Sequence, residues 1–221
     1  MASLGRKAIK IEVGRYTRMG MASESVGPTI GSLYTWWRGD PLVLLPPLGG
    51  LTIGETSDPR VLEPLTGLRA ADLEDRFSAG HRAYVAWLDG RPVAYGWVAT
   101  ARAEIGELGL TFEVPLANRY LWDFITLPPW RGLGIYPRLL QAILHLEEAA
   151  ERFWVGHDAP NLPSRRGILK AGFQEVGRVH RTVGGELVLV PTGSLERALA
   201  AAHLLGIWLP AGPVEGLTGG T

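Results

Sequence analysis

The chain has no cysteine, and that single absence removes disulfides, thiolate metal sites and a cysteine nucleophile together. It fits a reducing compartment, so the cytoplasm is the expected location. No metal site is expected. An excess of charge is missing as well. Lys+Arg and Asp+Glu each number 22, for a formal net charge of zero. Nucleic-acid binders usually carry a basic excess or stripe, so no nucleic-acid partner is expected. Long apolar runs are also lacking. The longest, from Pro41 to Ile53, is interrupted by Pro46, Pro47, Gly49 and Gly50 and is too short to span a bilayer. Arg6, Lys7 and Lys10 precede no apolar run, which argues against a signal peptide. No membrane partner is expected.

What remains is the composition of a packed globular protein. Hydrophobic residues make up 46% of the 221 and charged residues 20%, a balance that disordered chains do not show. The length suits one large domain, or one domain with extensions. Residues 18–32 are rich in Gly and Ser and read as a loop. Short strands are predicted for Ser32 to Trp37 and Leu42 to Leu45. From Asp58 to Phe77, Val61, Leu62, Leu65, Leu68 and Leu73 follow helical spacing, and Pro64 and Gly67 divide the segment into two short helices. Ala83 to Leu88, the turn dipeptide Asp89-Gly90 and Val93 to Ala99 predict a hairpin. Further strands are predicted at Glu107 to Val114, Leu121 to Leu127 and Phe153 to His157. Pro137 to Phe153 carries a wide apolar helical face. Leu162 to Ala171 reads as a short helix closed by Gly172. Val176 to Val183 and Glu186 to Val190 flank Gly184-Gly185 as a second hairpin, and Ser194 caps an amphipathic helix to Trp208. This order predicts an α/β sheet with antiparallel and parallel parts.

Chemistry concentrates where the strand ending at Leu127 runs through Pro128, Pro129 and Trp130 into Arg131-Gly132-Leu133-Gly134-Ile135-Tyr136 and the next helix. Gly132 and Gly134 allow a sharp turn and a close approach of backbone to ligand. The first amides of the helix lack intrahelical acceptors, and the helix dipole adds positive charge there. Such a terminus suits a phosphate or diphosphate. Pro137 fits the first turn, and Arg131 and Arg138 are candidate phosphate partners. A P-loop is excluded by the lack of Gly-Lys-Ser/Thr, and a dinucleotide fingerprint by the missing third glycine.

These residues resemble the central Arg/Gln-x-x-Gly-x-Gly/Ala motif of the GNAT superfamily of N-acetyltransferases, with Tyr136 where that family prefers Gly or Ala. A second match follows at the family's spacing: Asn161, then Ser164, Lys170 and Gly172-Phe173. The resemblance covers residues 51–191. It leaves 1–50 as an N-terminal extension packing on the domain and 192–221 as a C-terminal helix and tail. It implies a mixed, mostly antiparallel central sheet with a splayed parallel strand pair, flanked by helices. It also implies an acetyltransferase that uses acetyl-coenzyme A (acetyl-CoA) or another acyl-CoA. Loop residues Arg131, Gly132, Leu133, Gly134, Ile135 and Tyr136 would hold the diphosphate, and Asn161 would cap a helix or meet the pantetheine.

The implied reaction is direct attack of an amine on the thioester in a ternary complex. A main-chain amide of Ile125, Thr126 or Leu127 would polarise the carbonyl. Asp123, the only carboxylate on its strand, is the first candidate base, with Glu113 and His157 as alternatives. Many relatives carry a proton-donating tyrosine where this chain has Ile168, which leaves Tyr136, Tyr120 or solvent for that role. The acceptor is expected to be a small-molecule amine or a peptide amine. Apolar spacing in the terminal helix leaves a homodimer as a possible assembly. The competing reading is a non-catalytic acyl-CoA-binding or sensor module.

Overall fold

A computed structural model describes residues 26–210. Its strands are β1 (Val26–Trp37), β2 (Leu51–Glu55), β3 (His81–Leu88), β4 (Arg91–Ala99), β5 (Arg102–Ile105), β6 (Leu110–Glu113), β7 (Asn118–Thr126), β8 (Arg152–Asp158), β9 (Gln174–Thr182) and β10 (Leu187–Pro191). The helices are α1 (Pro59–Thr66), α2 (Ala70–Ser78), α3 (Ile135–Leu146), α4 (Leu162–Lys170) and α5 (Leu195–Leu205). Eight strands form one sheet in the order β10-β9-β1-β8-β7-β4-β3-β2, and β5 pairs with β6 in a separate hairpin. Within the large sheet every pair is antiparallel except β7 with β8. Among the described residues, no helix is long and apolar enough to cross a membrane.

The two-residue alternation of a strand sorts side chains onto the two faces. On β3, Ala83 and Val85 pack with Leu62, Leu65 and Leu73 of α1 and α2. Tyr84 and Ala86 face the other way, onto Leu139, Leu140 and Ile143 of α3. A third cluster joins Tyr120 and Trp154 to Ala198, Ala201 and Leu205 of α5. Helices α3 and α4 thus cover one face, and α1, α2, α5 and the small hairpin cover the other.

Two irregularities shape the middle of the sheet. The β7–β8 pairing runs only from Asn118↔Arg152 to Leu121↔Val155, and beyond it the two strands diverge. On the other side of β7, the register skips between Tyr95↔Ile125 and Trp97↔Trp122. Asp123 and Phe124 therefore both stand opposite Gly96, as in a β-bulge, and Asp123 has φ 50°. The Phe124 ring lies where a Cβ on Gly96 would be, so glycine is required there.

Several expectations are revised. The predicted loop over 18–32 gives way to strand from Val26 onward, while 18–25 lie outside the described residues. Leu42 to Leu45 form no strand. Instead Gln141 of α3 binds this segment through its side-chain amide, accepting from Leu45 N at 3.0 Å and donating to Val43 O at 2.9 Å. Glu107 to Val114 splits into a 3-10 turn, Gly106–Leu108, and β6. Helix α3 stops at Leu146 rather than at Phe153. Beyond it, the buried carboxylate of Glu147 meets Arg119 at 2.6 Å, Tyr84 Oη at 2.7 Å and Arg82 at 3.1 Å. The Arg38 guanidinium binds the carbonyls of Leu144, Glu147 and Ala150. The apolar periodicity runs past this stop because Ala150 and Phe153 belong to the same core. Residues 26–37, which precede the expected domain start at 51, run between β8 and β9 inside the sheet.

Candidate functional site

After β7 the chain makes one 3-10 turn, Pro128–Trp130, and reaches α3 through Arg131 to Gly134. Gly132 has φ 83° and Gly134 φ 71°, left-handed values that disfavour a side chain. Gly134 is the N-cap of α3 and supplies no side-chain acceptor. Among the described residues, the amides of Gly132, Leu133 and Gly134 make no hydrogen bond. Ile135 and Tyr136 occupy the first helical turn, where amides lack an intrahelical partner. These donors sit at the positive end of the α3 dipole. Arg131 is exposed and anchors itself by donating from Nε to Thr126 O at 2.9 Å. Arg138 does not stand free for an anion. It donates to Gly134 O at 2.7 Å and to Pro46 O at 2.8 Å, tying the loop to the segment before β2. The Lys170 ammonium, at the end of α4, lies 3.8 Å from the point where a Cβ on Gly134 would sit.

The gap left by the diverging β7 and β8 is a cleft of about 530 Å³. Its walls include Ile30 to Leu33 of β1, Tyr120 to Phe124 of β7, Val155 to Asp158 of β8, Tyr136, Asn161 and Ser164. Arg76 reaches it from α2, and Glu104 to Leu108 from the β5–β6 connection.

Asp123 lines this cleft, with its Oδ2 bound to Arg76 Nη1 at 2.6 Å. The Arg76 guanidinium also lies over the rings of Trp97 at 4.7 Å and Trp122 at 4.5 Å, a cation–π arrangement that fixes it. Trp122 in turn donates its indole N–H to His81 Nδ1 at 3.1 Å. Burial, and then the Arg76 charge, pull the His81 pKa below its ordinary value, so this imidazole stays neutral at neutral pH.

His157 also lines the cleft, but both ring nitrogens are engaged. Nδ1 lies 2.7 Å from Asp158 O, which can only accept, so Nδ1 carries the proton of the neutral ring. Nε2 then accepts from the Tyr34 hydroxyl at 3.0 Å, and the two rings stack at 5.4 Å. Glu113 lies on β6 opposite Arg102 and does not line the cleft.

The strand-end amides differ in availability. Leu127 N is already bonded to Val93 O at 2.9 Å, so it is not a free donor. Ile125 and Thr126 lie in register with Tyr95 and Ala94 of β4. At Asp123 and Phe124 the β4–β7 ladder skips, so the register is interrupted beside the cleft. Asn161 caps α4, its Oδ1 accepting from Ser164 N at 3.1 Å. Tyr136 projects into the cleft, with its ring beside Phe124 at 5.4 Å and its hydroxyl 3.5 Å from Ser164 Oγ. A Cβ at position 167 would collide with this ring, so Gly167 makes the room it needs. Burial pushes the Tyr136 phenol up to about 12. Ile168 is fully buried in the core.

A sequence model of the acetyltransferase (GNAT) family matches residues 53–173, more than half of the chain. The chain belongs to the GNAT acetyltransferase family. No curated protein matches its sequence. Among solved structures, a GCN5-related N-acetyltransferase from Sphaerobacter thermophilus is 15% identical with a TM-score of 0.50, over 71% of this chain and 51% of that one. A GNAT-family acetyltransferase from Colwellia psychrerythraea is 16% identical with a TM-score of 0.46, over 70% of this chain and 56% of that one. The yncA protein of Salmonella typhimurium, solved with its cofactor acetyl-CoA, is 16% identical with a TM-score of 0.44, over 57% of this chain and 80% of that one. At such identity, similarity bears on the fold alone. This GNAT chain spans about half the length of the first two of these structures.

The matched stretch contains the loop, α3, β8 and α4, and it ends at Phe173. One wall of this GNAT cleft, Ile30 to Leu33, comes from outside that stretch. Sequence reasoning missed Arg76, His81, Lys170 and the Glu104 to Leu108 wall as parts of the site. Only Lys170 left a trace, two residues before Gly172-Phe173.

Proposed function

We propose that the chain moves an acetyl group from acetyl-CoA to a primary amine, by direct attack within a ternary complex. One observation carries this reading: the amides of Gly132, Leu133 and Gly134 make no hydrogen bond among the described residues, at the N-terminus of α3. They fit a diphosphate, with Arg131 and Lys170 adding positive charge and Ile135 and Tyr136 extending the set of donors. Asn161, whose Oδ1 caps α4, keeps its side-chain amide nitrogen for the pantetheine. The bulge at Asp123 and Phe124 takes the role foreseen for the strand-end amides, presenting a main-chain donor to the thioester carbonyl.

Attack makes the amine nitrogen acidic, so even a weak base suffices to take its proton. Asp123 keeps Oδ1 open for this while Arg76 holds Oδ2. His157 shapes the wall, and Tyr34 orients its ring. The leaving sulfur is a weak base that solvent can protonate. Tyr136 keeps its proton up to about pH 12 and donates a hydrogen bond to that sulfur. The transferase unit is residues 51–191 together with β1, through which β9 and β10 join the rest of the sheet. The test is a thermal shift with acetyl-CoA followed by thiol release across an amine panel. A shift without release would favour the second reading, a non-catalytic acyl-CoA sensor, which the buried Ile168 supports.

A further inference from the structure

The charges of the cleft do not cancel. Its one arginine, Arg76, is paired with Asp123. Glu104, Glu107 and Asp158 also line it and form no ion pair among the described residues. Carboxylates alone are ordinary surface groups, but here a buried hydroxyl accompanies them. Tyr120 of β7 is only 5% exposed, and its hydroxyl makes no hydrogen bond among the described residues. That hydroxyl lines the cleft, 3.6 Å from the point where a Cβ on Gly156 would sit, and the bare Gly156 leaves the approach open. Burial, and then the charges of Glu107 and Asp158, push this phenol far above its ordinary value. It therefore remains a neutral phenol with lone pairs to offer a cation. Glu107 comes from the 3-10 turn between β5 and β6, Asp158 from the end of β8 and Tyr120 from β7. Three separate elements thus bring two anions and one acceptor to a single cleft.

We infer that the acceptor is a small polyamine, whose second ammonium group sits between Glu107 and Asp158 and bonds to the Tyr120 hydroxyl. This rests on the transferase reading for the amine that reacts, but not for the cation that binds. A monoamine would leave these groups unmatched. An anionic or neutral acceptor would meet repulsion or unpaired charge.

The test compares spermidine with n-butylamine as acceptors at fixed acetyl-CoA, and measures spermidine binding by calorimetry without acetyl-CoA. The expected preference for spermidine in kcat/KM is about tenfold or more, weakening as salt is raised. In the Glu107→Gln/Asp158→Asn double variant that preference and spermidine affinity should each drop about tenfold, and in Tyr120→Phe about threefold. Retained thermal stabilisation by acetyl-CoA shows that each variant is folded, and the single Glu107→Gln variant serves if the double one is not. Equal kcat/KM for the two amines, or spermidine affinity unchanged in the variants, overturns the inference. A chain that acetyl-CoA does not stabilise would defeat the transferase reading, and spermidine calorimetry would still decide this one.

Discussion

The two halves of the candidate site are built by different means. At Gly132 to Tyr136 the donors are main-chain amides, placed by a backbone that only glycine tolerates at two positions. In the cleft beyond Asp123 the groups are side chains drawn from α2, β7, β8 and the β5–β6 connection. The first kind of site leaves a mark in sequence, because its geometry demands particular residues at a fixed spacing. The second leaves none, because its members become neighbours only when the sheet forms.

The comparison is tested most severely by Gly134→Asp. The carboxylate would stand beside the diphosphate, and the new Cβ would lie 2.7 Å from Arg138 Nη1. Affinity for CoA should fall by at least about 100-fold, roughly 2.7 kcal/mol, by calorimetry. Amine affinity should survive. Asp123→Asn should do the reverse: turnover falls about tenfold at neutral pH and less at high pH, with CoA affinity unchanged. An unaltered pH–rate profile would remove Asp123 from proton transfer.

A third substitution lies outside both halves. Arg197 of α5 binds Asp40 after β1 at 2.7 Å, and both side chains are largely buried. Burial alone would raise the Asp40 pKa, but Arg197 and the Trp37 amide outweigh it and hold the carboxyl below its ordinary value. Its stabilisation is thus present above the unfolded pKa near 3.8 and lost as pH falls through the lower folded value. Arg197→Ala should lower stability at pH 7 by about 1–2 kcal/mol in urea unfolding, with the difference shrinking in acid. CoA affinity should not change. Tyr136→Phe should have the smallest effect. A lost hydrogen bond to the sulfur should slow turnover about threefold, roughly 0.6 kcal/mol, without a new limb in the pH–rate profile below about pH 11.

The legibility of the fold follows the same division. The Asp89-Gly90 hairpin, the two short helices divided at Gly67, and the strand–loop–helix at Arg131 to Gly134 all announce themselves through local rules. The place of β1 does not, because partners on β8 and β9 lie more than a hundred residues away in sequence. Within the site, Asp123 was legible as a carboxylate on the strand, but its partner Arg76 carries no marker in α2. His157 was legible as a cleft residue. Its engagement with Tyr34 depends on β1 lying beside β8, which local spacing cannot reveal. Leu127 was foreseen as a donor. Its bond to Val93, and the bulge upstream of it, appear only when β7 is set against β4.

A crystal structure of the chain grown with CoA would test the central claim most directly. The account predicts diphosphate oxygens about 2.9 Å from the amide nitrogens of Gly132 to Gly134. A diphosphate bound elsewhere, with those amides turned onto protein acceptors, would contradict it.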